Sequence, residues 1–489
     1  MVTLTHPTQL APYLADASNL SGGFAEGAAL PTSEREVSDF LREACRTRTP
    51  VTVAGYGCGL VGGRIPFGGW VLSTERLNAI AAIRRAPDGA WVALVQPGVP
   101  LSRLQEAAQD HGLFYPPDPT EGQAFVGGTI STNASGARSF RYGTTRRHVR
   151  ALRLVLPSGE TLALRRGRFR ARGERLDLET EQGRRITVPL PRYRMPATKH
   201  AAGYFAKPGL DAVDLFIGAE GTLGVVTQAE LALLPMPEAV VSFVAFFPSE
   251  ERAWRAAIHI RALSKRRSGR LHARAIEYLD ARSLALLRPG SPQLPVRARA
   301  ALYVEQETTA SAAGTALSRW SRRVAACGGL RDAWWTATNP EERRALNALR
   351  RALPLAVNEQ RRRAGQPKIG TDMAVPDGRL LELLRAYRRT LDRLGQPYCV
   401  FGHIGDNHLH ANIMPRTPAE LTQAREAYAR LVAKAIALGG TLSAEHGVGK
   451  LKRAFLGWLF SEGDLAQMRR VKEALDPHWL LGQGNIFER

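Results

Sequence analysis

The sequence predicts an α+β protein in two parts, followed by a helical C-terminal segment. Three observations predict it. Strand-like runs and helical runs share the chain up to about residue 235. There Leu-Pro-Met-Pro237 punctuates it, and a second mixture begins with the strand-like VVSFVAFF. From about residue 418 the pattern is helical. The expected division is 1–236, 237–417 and 418–489, the middle part an antiparallel-sheet α+β unit. A chain of 489 residues is long enough for more than one domain.

The elements follow in order. Ser33-Glu-Arg-Glu36 is a capping box, and Val37, Phe40, Leu41 and Ala44 follow at helical spacing, so a helix runs to about residue 47. VTVA, WVLS and WVALV are strands between Gly/Pro turns, and residues 101–111 a helix. A glycine-rich tract spans 125–142. ALRLVL and ETLAL are strands about a Pro-Ser-Gly turn. Residues 214–235 read as strand, glycine turn and strand. In the second part a long helix starts near Ser249, and ALYVEQ, residues 371–376 and residues 398–414 are strand candidates.

Composition excludes several classes. No run of 18 apolar residues exists, and the N-terminus shows no basic start followed by an apolar run. Cys45, Cys58, Cys327 and Cys399 lie far apart, which argues against a disulfide framework, a zinc ribbon or an iron–sulfur cluster. A cytoplasmic setting is expected, with peripheral contact at the inner membrane face or with a partner subunit left open. The net charge of +22 admits nucleic acid, an anionic membrane or acidic substrates, but no nucleic-acid motif accompanies it. The densest basic run, Arg165-Arg-Gly-Arg-Phe-Arg-Ala-Arg172, opens an arginine-rich insertion over 165–194, read as a solvated surface segment.

After the strand VTVA, Gly57-Cys-Gly-Leu-Val-Gly62 satisfies G-x-G-x-x-G. A Rossmann turn must open into a helix. Here Gly63-Arg-Ile-Pro66 and another glycine pair follow, and the next strand resumes at once, so the Rossmann reading fails. Glycines after a strand still form a backbone anion nest. Val126-Gly-Gly-Thr-Ile-Ser-Thr-Asn-Ala-Ser-Gly-Ala137 and Gly218-Ala-Glu-Gly-Thr-Leu-Gly224 repeat the device, which favours one extended ligand such as a dinucleotide.

A second constellation is Phe401-Gly-His-Ile-Gly-Asp-Asn-His-Leu-His-Ala-Asn412. With Asp406-Asn407 as a two-residue hairpin loop, His403 stands opposite His410, with His408 and Asn412 on the same face. Two imidazoles so placed suit one divalent ion. Ser443-Ala-Glu-His-Gly-Val-Gly449 adds a carboxylate, Glu445, and a base, His446.

GYGCGLVGG, PPDP with VGGTISTNASG and RYG, KHAAGY (199–204) and DLFIGAEGTLGVVT (214–227) together resemble the FAD-binding signatures of the p-cresol methylhydroxylase/vanillyl-alcohol oxidase superfamily (PCMH-type). GHIGDNHLHANI and SAEHGVG resemble those of its D-2-hydroxyacid dehydrogenases, which act on D-lactate, glycolate or D-2-hydroxyglutarate. The resemblance implies that Gly55, Tyr56, Gly57, Cys58, Gly59, Leu60, Gly62 and Gly63 wrap the FAD pyrophosphate. It implies that Pro117, Asp118, Gly127, Gly128, Thr129, Ser131, Thr132, Asn133 and Gly136 line the flavin and its linker, with Tyr142 and Gly143 beyond. Glu220, Gly221, Gly224 and Val225 would complete the pocket. FAD is expected to be non-covalent, with Cys58 a small packing residue.

By the same resemblance His403, His410 and Glu445 hold a divalent metal, usually zinc, His446 is the base, and Asn412 contacts substrate. The chain departs from the family's Gly-Asp-Gly-Asn-Leu-His, because Asn407 and His408 replace Gly-Asn; His408 either competes as a ligand or contacts substrate. Arg350, with Arg351 as the alternative, would bind the substrate carboxylate, assisted by Lys368. Pro354 replaces the hydroxyl residue of the dicarboxylate enzymes, favouring a shorter acid. The expected reaction is oxidation of a 2-hydroxy acid to the 2-oxo acid, with hydride passing to flavin N5 and electrons then to a quinone, cytochrome or electron-transfer flavoprotein. The alternatives are a non-redox FAD enzyme like the alkyl-transfer synthases, and a basic nucleic-acid-binding protein.

Overall fold

The computed structural model describes residues 1–266 and 270–488. Three main sheets carry the chain. Strands Val2–Leu4, Gly27–Leu30, Trp70–Ser73 and Val51–Ala54 lie side by side in that order. A five-stranded sheet runs Ile80–Arg85, Trp91–Val95, Val225–Ala232, Val149–Val155 and Thr161–Arg165, antiparallel throughout. An eight-stranded antiparallel sheet in the second half is centred on Ala239–Phe247, Ala300–Thr308 and Ala273–Asp280, and extends through Tyr398–Gly402 and His408–Ile413. The mixed α+β architecture is the expected one.

The helix Glu34–Thr47 shows how sequence sets position. Ser33 Oγ accepts from Glu36 N–H, leaving Val37, Leu41 and Ala44 on the face that packs against Val51 and Leu72. Each fully buried leucine there contributes about 1.5–3 kcal/mol. The capping box is only half formed, because Glu36 turns back to the N–H of Thr32 rather than of Ser33.

Five expectations need correction. The tract 125–142 contains two short helices, Val126–Ser131 and Ser139–Tyr142. The expected strand near residue 214 is the helix Ala212–Phe216, started by the Asp211 side chain. Of residues 371–376 only Met373–Ala374 is strand. The arginine-rich insertion is more than solvated surface: Arg175–Glu179 and Arg185–Pro189 form an antiparallel hairpin whose Leu176, Leu178, Ile186 and Val188 enter the main core. Its first arginines are fastened inward, Arg165 on Glu230 and Arg166 on Asp214. Finally, strands Val51–Ala54 and Trp70–Ser73 are parallel neighbours, although no crossover helix joins them. Residues 55–69 make the crossover as a loop.

Candidate active site

The glycine loops converge. A Cβ built on Gly55 would lie 4.0 Å from Gly128 Cα, so the first loop faces the second. Glu220 N–H donates to Ser131 O, and Gly218 N–H to Ile130 O, joining the third tract to the second. Asn485 Nδ2 donates to Gly63 O, and Lys450 and Leu451 N–H to Val61 O, bringing the C-terminal segment to the first. Gly136, at φ +153°, passes so close to Asp118 O that a Cβ would sit 2.0 Å away. Among the described residues, no backbone N–H from Gly55 through Arg64 donates to another residue. Such a run of free donors at glycine-rich backbone fits a pyrophosphate.

Other members of the expected cofactor set have partners within the chain. Thr129 and Thr132 hydroxyls return to the carbonyls of Val126 and Gly128. Asn133 Oδ1 accepts from Arg146 N–H. Tyr142 turns its hydroxyl to Glu307, just before the stretch of Gly143. Glu220 receives the N–H groups of Val448 and Gly449 at 2.7 Å each, and burial raises its carboxyl to about 7. Tyr56 and Leu60 are exposed on the first loop, Gly57, Cys58, Gly59 and Gly62 lie between them and Gly63, and Gly221 packs on Val53. Gly224 and the buried Val225 lead into the five-stranded sheet. Gln105 Nε2 donates to the carbonyls of Tyr115 and Pro117, and Gly127 lies against Pro97.

The histidine hairpin differs from the expected register. Phe401, not His403, pairs with His410, and a 3-10 turn over Ile404–Asp406 with Asn407 at φ +54° closes the loop. The turn nevertheless returns His403 to the pair. His403, His408, His410 and Glu445 each bring a ligand atom within 4.8 Å of the others. His403 Nδ1 meets Glu277 Oε1 at 2.7 Å, and His410 Nδ1 meets Thr371 O at 2.9 Å. Both rings therefore present Nε2 to the same atom, Glu445 Oε1, at 3.3 and 3.2 Å. Two Nδ1 atoms anchored on acceptors and two Nε2 atoms converging on one carboxylate is the arrangement that metal-binding histidines adopt. This donor set fits a zinc-like ion.

The neighbours fix the charges. Burial alone would raise the Glu445 carboxyl, but Lys199 and His403 outweigh it and hold it well below the usual range. Lys199 Nζ lies 2.9 Å from Glu445 Oε2, which also accepts from Ser135 Oγ at 2.8 Å. His403 is pushed up to about 9, the carboxylates of Glu277 and Glu445 prevailing over burial. His446 stacks on His410, ring centres 5.1 Å apart, and burial pushes it down to about 4 against the pull of Asp372 at 3.5 Å. Its imidazole is therefore held in the neutral form near neutral pH. Asp372 holds this loop: it takes the N–H groups of Glu445 and His446, Ser443 Oγ and Lys452 Nζ. His408 is fully buried, its Nε2 2.9 Å from Asp372 Oδ1 and its Nδ1 3.9 Å from Glu445 Oε2, and neither nitrogen makes a well-aligned hydrogen bond.

Arg350, on the helix Pro340–Ala364, reaches Glu277 Oε2 at 3.3 Å, so one glutamate ties it to His403. Its Nε and the Nδ2 of Asn412 are buried without partners. An unpaired buried donor costs about 1–3 kcal/mol. Arg351 is exposed. Lys368 is half-buried just before the strand Ile369–Gly370, whose Gly370 pairs with Asn412.

Sequence reasoning missed Lys199, Asp372 and Glu277. Lys199 opens the quoted KHAAGY, yet only the folded chain shows its ammonium on Glu445.

Two family models match the chain: the FAD binding domain over residues 25–165, and the C-terminal domain of FAD linked oxidases over 236–486. The second alone spans more than half the sequence. The chain belongs to the FAD-linked oxidases. This FAD-linked oxidase is 29% identical to the glycolate oxidase subunit GlcD of Bacillus subtilis (strain 168), over 98% of this chain and 92% of that protein. It is 31% identical to a D-2-hydroxyglutarate dehydrogenase of Xanthomonas citri pv. viticola, over 94% and 89%. A D-lactate dehydrogenase of Archaeoglobus fulgidus is 28% identical over 94% and 90%. Among solved structures, an alkyldihydroxyacetonephosphate synthase superposes with a TM-score of 0.68 at 16% identity, covering 98% of this chain and 81% of that one, which shows a common fold. No helix among the described residues is long and apolar enough to cross a membrane.

Proposed function

We propose that this FAD-linked oxidase oxidises a short 2-hydroxy acid, of the D-lactate or glycolate kind, to the 2-oxo acid. The observation that carries the reading is the convergence of His403 Nε2 and His410 Nε2 on Glu445, with the neutral His446 stacked beside them. The relatives named for glycolate, D-lactate and D-2-hydroxyglutarate support the substrate class.

The loops of residues 55–63, 127–136 and 218–225 hold FAD without a covalent link. Burial pushes the Cys58 thiol up to about 11, which makes it a poor nucleophile. His403, His410 and Glu445 hold a divalent ion, with His408 in reserve as a fourth donor. When bound, FAD supplies the two-electron acceptor and the ion a Lewis acid that acidifies the substrate hydroxyl. Arg350 and Asn412 bind the carboxylate through their unpaired donors, assisted by Lys368, and fix the C2 hydroxyl against His446. His446 removes the hydroxyl proton, and Asp372 orients its ring. Pro354, one helical turn from Arg350, offers no hydroxyl to a distal carboxylate, which supports a short acid. A quinone, cytochrome or electron-transfer flavoprotein takes the electrons onward.

The test is anaerobic bleaching of the bound flavin by D- and L-lactate, glycolate and D-2-hydroxyglutarate, with and without chelator. Bleaching by a short acid, abolished by chelator and restored by Zn²⁺, is expected. Protein that binds no flavin, or flavin that no 2-hydroxy acid reduces, would sink the reading.

A further inference from the structure

Beside the histidine cluster lies an open cavity of about 570 Å³. Its walls carry five cations, Arg146, Arg147, Arg166, Lys199 and Lys207, against two carboxylates, Asp214 and Asp406. Three of the cations share a single partner: Arg146, Arg166 and Lys207 all lie within 3.4 Å of Asp214. Arg147 is exposed, and among the described residues no hydrogen bond or ion pair engages its side chain. The cations descend in exposure, from Lys207 at 48% through Arg166 at 32% and Arg146 at 15% to Lys199 at 5%. The deepest of them, Lys199, is the residue that touches Glu445. The cavity and the cluster therefore share a wall.

A cleft lined by one sign of charge concentrates the opposite sign within it. The cations of this wall range from half-exposed to buried, and the buried one, Lys199, touches the candidate metal ligand Glu445. We infer that this cavity is the entry path of the carboxylate substrate, and that Arg147 is the cation that captures it at the mouth. The inference rests on the proposed 2-hydroxy acid activity and goes beyond it by naming a route and a residue outside the reacting site.

Arg147→Glu tests it, with Arg322→Glu as the control. Arg322 is an exposed arginine lining a separate cavity with Arg331 and Trp334, so both variants change net charge equally. Reversing one charge about 10 Å from the carboxylate of the bound substrate shifts binding roughly fourfold in water. The expected result is a KM for lactate raised about fourfold in R147E at low salt, kcat unchanged, and the difference gone by 0.5 M salt, where screening acts within a few ångströms. R322E should match wild type, and the neutral analogue lactamide should not distinguish the three proteins. Equal KM values for R147E and R322E, or a defect that persists at high salt, overturn the inference.

Pyruvate binding to the oxidised holoenzyme, read by calorimetry, separates the two readings. If no 2-hydroxy acid reduces the flavin, the proposed activity falls, while a salt-sensitive fourfold loss of pyruvate affinity in R147E alone still upholds the route. Failure of wild type to bind pyruvate overturns the route.

Discussion

His403 and His410 meet because each imidazole is held from behind. Glu277 takes Nδ1 of one and the Thr371 carbonyl takes Nδ1 of the other, which fixes both tautomers and directs both Nε2 atoms forward. Replacing Glu277 by Gln removes a charge but keeps the shape. Metal affinity is expected to fall about 10–100-fold with FAD content unchanged, measured by metal titration of the purified flavoprotein. His446 stacks on His410 and its Nε2 lies 3.8 Å from Glu445 Oε1, but among the described residues it meets none of the glycine loops, so His446→Ala should leave flavin content alone. It should slow anaerobic flavin reduction by about 10²–10⁴-fold, the usual span for loss of a general base. An unchanged reduction rate would remove His446 from the mechanism. The histidines and Glu445 were legible as residue types within short motifs. Glu277, Lys199 and Asp372 were not, because each meets the cluster across a long sequence separation that no local pattern encodes.

At the scale of elements, Glu220 acts as a clasp between the glycine loops and the loop that carries Glu445 and His446. It stands in the left-handed region at φ +54°, and its two oxygens take the N–H groups of Val448 and Gly449, four residues beyond Glu445 at most. Burial raises its carboxyl from the ordinary 4.5 to about 7. A folded value above the unfolded one means that its favourable contribution is complete below about pH 4.5 and is lost as pH rises to about 7. Glu220→Gln carries no charge to bury, so its melting temperature relative to wild type should climb between pH 5 and 7 and level off above. A difference independent of pH would show that the buried carboxyl keeps its ordinary value. The elements themselves were unevenly legible. Strands such as VTVA and ALRLVL announced themselves by apolar runs, whereas Val126–Ser131 hid its helix behind two glycines. In the arginine-rich insertion, period-two burial of Leu176, Leu178, Ile186 and Val188 was masked by the charges between them. The hairpin register failed because Gly402 ends its strand early and a 3-10 turn takes up the slack.

Across the whole molecule, the last residues return to the first sheet. Val51 N–H donates to Leu480 O, Gly482 N–H donates to Val51 O, and Leu480 and Leu481 are almost fully buried beside that strand. Lys472 stays buried on the carbonyls of Thr222 and Leu481 and on Asp476, binding the final helix Glu462–Leu475 to the third glycine tract. Asn485 then closes on Gly63 O. The C-terminal segment thus reaches the glycine loops as well as supplying the loop of Glu445 and His446, and the two family-matched regions are stitched into one core. Thermal unfolding of the holoprotein should accordingly show flavin release coinciding with loss of secondary structure in one transition, read by flavin fluorescence and circular dichroism on the same sample. Ending the chain at His478 removes Trp479, Leu480 and Leu481 from their buried sites, at about 1.5–3 kcal/mol for each aliphatic side chain. That truncation should release FAD well before the remaining sheets melt. Two separate transitions in the intact protein, or a truncated form that keeps its flavin to the wild-type melting point, would mean that the ends of the chain fold independently.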